Sequence, residues 1–121
     1  MDRFSATQGH NAIARALEAG TAPHGLPAAQ LLAHGTAKLF FYEPRGRDLQ
    51  PPHDQDELYV VLSGAGTFAC GDSDDTLRRT PFAPGDAIFV PAGVVHRFED
   101  FSDDFATWVI MYGPSGGEWV D

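Results

Sequence analysis

The sequence has little cysteine, little positive charge and no long apolar run, and each shortage excludes a class of protein. Cys70 is the only cysteine in 121 residues, so no disulfide can form within the chain. A reducing compartment suits such a chain, and we expect a cytoplasmic location. Eight Lys and Arg stand against 17 Asp and Glu, a formal net charge of −9. Because nucleic-acid binding requires clustered basic residues, we expect no nucleic-acid partner. No apolar run approaches the ~20 residues of a membrane span, so we expect no membrane partner either.

The chain does have enough apolar material for one packed β domain. Hydrophobic residues make up 43% of the chain and aromatic residues 12%, and 121 residues leave room for one core. Nine prolines and thirteen glycines are scattered along the sequence, which indicates many turns between short elements. This composition favours an all-β domain over a helix bundle.

Residues 1–35 are predicted to form an N-terminal arm that contains a short helix or a first hairpin. Asn11 can cap a helix that ends near Ala19, because Gly20 follows in the place of a C-terminal cap. The stretch 28–34 fits either a second helical piece or one strand of a hairpin, and we favour the hairpin.

Residues 36–113 show β-type patterns throughout, and residues 114–121 form a loop-like tail that contains Trp119. Gly and Pro turns separate short segments rich in aromatic and β-branched residues, which is typical of a sandwich or barrel. The predicted strands are 37–43, 57–62, 67–70, 76–79, 87–90, 95–99 and 105–112.

His53 and Glu57 are the first candidates for chemistry. Residues four apart on an extended segment point the same way, so these two side chains share a face. If Glu57 faces the interior, so do Tyr59 and Val61. A carboxylate among such neighbours is costly unless it is paired or bound to a metal.

His96 lies in another predicted strand, with Phe98 on the same face. Two imidazoles and one carboxylate suit iron, manganese, nickel or zinc, and leave positions open for water or substrate. His53, Glu57 and His96 are thus candidates for a divalent metal site, although a histidine near a strand start is more often a surface or hydrogen-bonded residue than a ligand.

The spacing of these residues resembles the cupin superfamily. The first cupin motif ends in a histidine, three residues, a glutamate, six residues and a glycine, which His53, Glu57 and Gly64 match.

The second cupin motif is a glycine, five residues, Pro-x-Gly, two residues and a histidine. Gly85, Pro91, Gly93 and His96 match it at every spacing. The resemblance, closest to the small single-domain bacterial cupins, implies an antiparallel β-barrel or jelly roll whose motif histidines and glutamate bind a metal.

Two positions depart from the cupin pattern. Pro51 stands where the first motif has its first histidine, and Asp100 replaces the usual asparagine. Gln55 has the strand parity of His53 and Glu57, so it is a candidate for a weak fourth oxygen ligand. The alternative that pairs His53 with Gln55 as the His-x-His element spoils the spacing to Glu57.

Two functions remain open at this point. The metal set favours an enzyme, such as an oxygenase, isomerase or lyase, that acts on a small organic molecule. The missing histidine favours a module that binds a small ligand or a metal without catalysis.

The run 58–62 is apolar on both faces, so its outer face requires cover, and we predict a homodimer.

Overall fold

The computed structural model describes residues 1–120, and only position 121 of the predicted tail lies outside the described residues. Within residues 1–120, one α-helix and eight strands follow each other. Their bounds are α1 Ala6–Ala19, β1 Ala28–His34, β2 Ala37–Tyr42, β3 Asp56–Ser63, β4 Gly66–Gly71, β5 Arg78–Phe82, β6 Ala87–Val90, β7 Val95–Glu99 and β8 Ala106–Tyr112.

The strands form two antiparallel sheets that enclose the core. A five-stranded sheet has the order β1-β2-β8-β3-β6, and a three-stranded sheet has the order β5-β4-β7. Tyr59 and Val61 of the first sheet pack with Phe68 and Phe98 of the second in one buried cluster. The predicted all-β barrel is therefore confirmed, and its interior is aromatic and aliphatic.

Helix α1 begins earlier than predicted. Its N-cap is Ser5, not Asn11: the Ser5 hydroxyl accepts from the backbone of Gln8, and the Gln8 side chain accepts from the backbone of Ser5. Gly20 ends the helix in the left-handed conformation, as predicted.

The hairpin alternative for residues 28–34 is the one that the structure adopts. Strand β1 pairs with β2, and β2 in turn pairs with β8, so the hairpin extends the five-stranded sheet. Helix α1 packs on the outer face of this hairpin, where Ile13 contacts the cluster around Phe41.

The predicted strand 76–79 is wrong in its bounds. Residues 74–76 form a 3-10 turn, in which the N–H of Ser73 donates to Oγ1 of Thr76 at 3.1 Å, and the strand runs from Arg78 to Phe82. This strand contains Pro81, which cannot donate to a ladder. Strand β5 lies at a sheet edge, where that loss is tolerated.

Gly64 allows the tight connection between β3 and β4. It has φ +82°, and a Cβ there would lie 2.5 Å from the Cα of Phe105. The glycine of the first motif is thus required by backbone geometry and close packing.

Among residues 1–120, no helix is long and apolar enough to cross a membrane.

Candidate metal centre

Three elements bring the predicted ligands together inside the barrel. His53 lies in the loop before β3, Glu57 in β3 and His96 in β7. The Nδ1 atom of His53 and the Nε2 atom of His96 each lie 2.9 Å from Oε1 of Glu57. One donor atom from each of the three residues lies within 4.8 Å of the others.

Burial differs across the cluster in a way that gives it one open side. The side chains of Glu57 and His96 are each 1% exposed, whereas that of His53 is 23% exposed. The alternation predicted from the sequence is confirmed, since Glu57, Tyr59 and Val61 are all buried. His53 therefore forms the solvent side of the cluster.

Backbone contacts hold His53 beside strand β7. The N–H of Gly93, in the turn between β6 and β7, donates to the carbonyl of His53 at 2.7 Å. In the same turn the N–H of Ala92 donates to Oδ1 of Asp56 at 2.9 Å. Gly93 has φ +78°, so the second motif's glycine permits the turn that docks the first motif's histidine.

The His96 ring is oriented by the carbonyl of Val94. Nδ1 lies 2.9 Å from that oxygen, and a carbonyl can only accept, so Nδ1 carries a proton. Nε2 is then the atom that faces Glu57. A partner on the far ring nitrogen is the usual way in which proteins fix a metal-binding histidine.

The charges of Glu57 and His96 support each other. Burial alone raises the pKa of Glu57, but hydrogen bonds from His53 and His96 more than offset this, so the pKa lies below its usual value. Burial lowers the pKa of His96, and Glu57 more than reverses that shift, so this pKa is raised. His53 and His96 thus favour the charged form of Glu57, and Glu57 favours the protonated form of His96.

A buried oxygen in this cluster has no partner. Among residues 1–120, Oε2 of Glu57 is the one buried side-chain N or O atom without a hydrogen bond. Leaving such an atom unpaired costs about 1–3 kcal/mol. Two imidazoles and a carboxylate with a spare oxygen form the facial set that binds divalent first-row metals. The residues present therefore fit a divalent cation.

A second group of polar residues lies behind the cluster, and the sequence pattern did not reveal it. Tyr59 is predicted as a core residue, yet its hydroxyl lies 3.0 Å from Nε2 of His96 and donates to Oε1 of Gln50 at 2.8 Å. Nε2 of Gln50 donates to Oδ2 of Asp48 at 2.6 Å. The parity of Tyr59 with Glu57 was the one signal for this chain of contacts.

The Gln55 side chain is hydrogen-bonded to backbone carbonyls outside the cluster, which does not support its candidacy as a fourth ligand. Its amide nitrogen donates to the carbonyls of Thr36 and Gly113, both at 2.9 Å.

Asp100, in place of the usual asparagine, has φ +49°, a conformation that both Asn and Asp tolerate. The remaining histidines are exposed: His10, His24 and His34.

Cavities on the surface of the barrel reach members of the cluster, and two of them differ in character. One of about 190 Å³ lies along the inner faces of β1, β2 and β8 and is lined by apolar side chains such as Phe40, Val109 and Met111, with His53 at its wall. A wider, polar cleft of about 930 Å³ reaches His96 and Gln50. The smaller cavity has the apolar lining of a small-molecule site.

Comparison with known proteins agrees with this architecture. The model of the cupin domain family (Cupin_2) matches residues 38–112. A crystal structure of a Bacillus halodurans protein superposes with a TM-score of 0.60 at 20% identity and covers 72% of each chain. At that identity the likeness concerns the fold alone.

Relatives also match by sequence, among them a bacterial protein and a dioxygenase. An uncharacterized protein of Streptomyces coelicolor is 39% identical over 76 residues, which cover 63% of this chain and 68% of that protein. The acireductone dioxygenase of Leishmania infantum is 45% identical over 56 residues, 46% of this chain. This match spans 16% of the dioxygenase's length.

Proposed function

Because this chain belongs to the cupin-domain family, we propose that it is a metal-dependent barrel protein that acts on a small organic molecule. His53, Glu57 and His96 hold one divalent ion. The observation that carries the proposal is that two imidazole nitrogens each lie 2.9 Å from Oε1 of the buried Glu57, whose other oxygen, Oε2, has no hydrogen-bond partner. The similarity to part of a dioxygenase favours oxygenase chemistry among the alternatives.

The distances in the cluster support metal binding. Two donors at right angles, each about 2.1 Å from one ion, lie about 3.0 Å apart. The two N···O separations of 2.9 Å are close to this value. An ion bound between these donors would take the place of the two contacts to Oε1 of Glu57.

The chain's own residues orient the site and limit its access to water. The Val94 carbonyl keeps Nε2 of His96 turned inward, and Glu57 supplies the negative charge. A bound divalent metal acts as a Lewis acid that binds and polarises an oxygen-containing substrate. The apolar cavity next to His53 can receive the body of such a substrate.

A second candidate is a binding module without catalysis. Pro51 supplies no ligand, so three motif ligands remain where the cupin pattern has four. Weak metal binding without turnover is the expected behaviour of this alternative.

Metal content tests the proposal directly. Protein purified without chelator is supplied in turn with iron(II), manganese, nickel and zinc, and metal per chain is measured by elemental analysis. We expect close to one ion per chain in the parent and in the control variant His10→Ala, whose imidazole packs on Phe41 outside the barrel. We expect little metal in His96→Ala.

Oxygen uptake separates the two candidates. Iron-loaded protein is mixed with an acireductone, and dioxygen consumption is followed with an electrode, with His96→Ala as the blank. Metal-dependent consumption supports an oxygenase, whereas full metal occupancy without turnover of this or other small enediols supports the binding module. Full occupancy of His96→Ala contradicts the proposed site.

A homodimer and a cytoplasmic location are further parts of the proposal. Val60 and Leu62 of β3 and Phe89 of β6 are 37%, 39% and 51% exposed, and helix α1 packs on β1 and β2 instead. A second copy would cover this apolar face. The lone Cys70 supports the location.

Light scattering tests the assembly. We expect twice the 13.1 kDa chain mass for the parent and the single mass for Phe89→Asp. A parent that remains monomeric at micromolar concentration contradicts the homodimer and leaves the metal site unaffected.

A further inference from the structure

We propose that the hydroxyl oxygen of Tyr59 is a fourth protein donor toward the metal ion, in place of the histidine that the cupin pattern has at Pro51. The inference rests on the proposed metal site and concerns its coordination. It is carried by the position of the Tyr59 oxygen, the direction of its hydrogen and the rigidity of its ring.

The oxygen lies at the distance expected between neighbouring ligands. It is 3.0 Å from Nε2 of His96, which is itself 2.9 Å from Oε1 of Glu57. Two donors at right angles about 2.1 Å from one ion are about 3.0 Å apart. Nε2 of His96 therefore has two oxygen atoms at ligand spacing, one from Glu57 and one from Tyr59.

Gln50 fixes the direction of the Tyr59 hydrogen. Nε2 of Gln50 donates to Oδ2 of Asp48, so the amide presents its oxygen to Tyr59. The hydroxyl has one proton, and it is donated to that oxygen at 2.8 Å. The lone pairs of the hydroxyl oxygen are then free to face His96 and the ion.

Asp48 holds Gln50 in this orientation. Its carboxylate also accepts from the hydroxyl of Tyr42, from the backbone of Gln50 and from the backbone of Phe98 in β7. The loop before β3 is thereby joined to the strand that contains His96. The hydrogen bond that directs Tyr59 is thus part of a connected buried network.

The Tyr59 ring is immobilised by neighbouring aromatic side chains. Its exposed fraction is 0%, and Phe98 lies edge-on to it with ring centroids 4.9 Å apart. Phe68 packs beside it at 6.0 Å. A ring held in this way keeps its oxygen beside the centre without a large entropic cost on binding.

A comparison of two tyrosine variants tests the inference. Tyr59→Phe and Tyr42→Phe each remove one buried hydroxyl from the same network, but only Tyr59 adjoins His96. Zinc affinity is measured by competition with a chromophoric chelator, with circular dichroism as the check on folding. We expect Tyr59→Phe to weaken zinc binding about 10–100-fold, the usual effect of removing a group that supports a metal site. Tyr42→Phe should stay within about threefold of the parent, since its hydroxyl contacts no proposed ligand.

Cobalt(II) provides a readout that a purely structural role would not change. The visible absorption of the cobalt-loaded protein depends on the number and type of ligands, so Tyr59→Phe should alter its position and intensity, and Tyr42→Phe should not. Gln50→Leu retains the hydroxyl but removes its acceptor, and we expect an intermediate loss of zinc affinity.

The outcomes separate this inference from the metal site itself. In one outcome the parent binds zinc, His96→Ala does not, and Tyr59→Phe keeps both the zinc affinity and the cobalt spectrum of the parent. This outcome overturns the role of Tyr59 and leaves the metal site standing. A parent that binds neither zinc nor cobalt overturns both.

Discussion

Two buried carboxylates lie close together in this barrel, and their surroundings differ. Asp48 is 8% exposed and accepts hydrogen bonds on both oxygens from side chains and backbone. Glu57 is 1% exposed and is contacted on Oε1 by His53 and His96, while Oε2 has no partner.

The difference separates a structural carboxylate from one suited to a ligand. The loop with Asp48 satisfies its charge from within the chain, so it is complete without any ion. Glu57 keeps an unpaired oxygen and faces two groups that bind metal as readily as protons. Substitution of Asp48 should accordingly lower stability, and substitution of Glu57 should lower metal affinity.

The largest expected effect is on stability, from Asp48→Ala. Removing the Asp48 carboxylate leaves the donors of Tyr42, Gln50 and Phe98 without their acceptor. Each buried donor left unpaired costs about 1–3 kcal/mol. Urea denaturation of the parent, of Asp48→Ala and of the exposed control Asp103→Ala measures this with and without zinc. A loss below about 1 kcal/mol would contradict the structural role of Asp48.

The next effect is on metal binding, from Glu57→Gln. The amide keeps the shape of the side chain but not its charge, so zinc affinity should fall about 10–100-fold. The free energy of unfolding without metal should fall by only about 1 kcal/mol, since one hydrogen-bond acceptor is kept. Chelator competition measures the zinc affinity, and urea denaturation measures the free energy of unfolding. If Glu57→Gln lost as much stability as Asp48→Ala but bound zinc as the parent does, Glu57 would be the structural carboxylate and not a metal ligand.

A smaller effect is expected from pH, with opposite signs for the free and the metal-loaded protein. The raised pKa of His96 stabilises the metal-free fold below the unfolded value of about 6.5, and this contribution is lost as pH rises through the folded pKa. The lowered pKa of Glu57 stabilises the fold above its unfolded value and is lost at more acidic pH.

Metal binding requires the deprotonated imidazole, so zinc affinity should instead rise with pH across the neutral range. Thermal melts with and without zinc, from pH 5 to pH 8, measure both trends. Parallel curves for the two forms would show that His96 does not exchange its proton for the metal.

The smallest effect concerns a third carboxylate, on the surface. Asp100 is exposed, in the left-handed conformation with φ +49°. Asp100→Asn restores the residue typical of the cupin pattern, and surface changes of this kind fall within about 0.5 kcal/mol. Its stability by urea denaturation and its zinc affinity should both match the parent. A marked change in zinc affinity would extend the metal site to this turn.

Local patterns predicted much of the fold and the members of the candidate site. Strand alternation indicated that Glu57, Tyr59 and Val61 share the inner face, and Gly and Pro marked the turns. Helix α1 was recognised but begins at Ser5 instead of Asn11, because both residues are good caps and local sequence does not choose between them.

The sequence by itself determined the β class, the alternation within each strand and the set of His53, Glu57 and His96, because these follow from the period of the chain and from motif spacing. Only the tertiary structure decided that Gln55 turns toward Gly113 and that the hydroxyl of Tyr59 adjoins His96. Parity gives the face on which a side chain lies, but not the partner that it finds there. The partners of Tyr59 come from β7 and from the loop with Asp48. Contacts between residues far apart in sequence are fixed only when the two sheets close around the core.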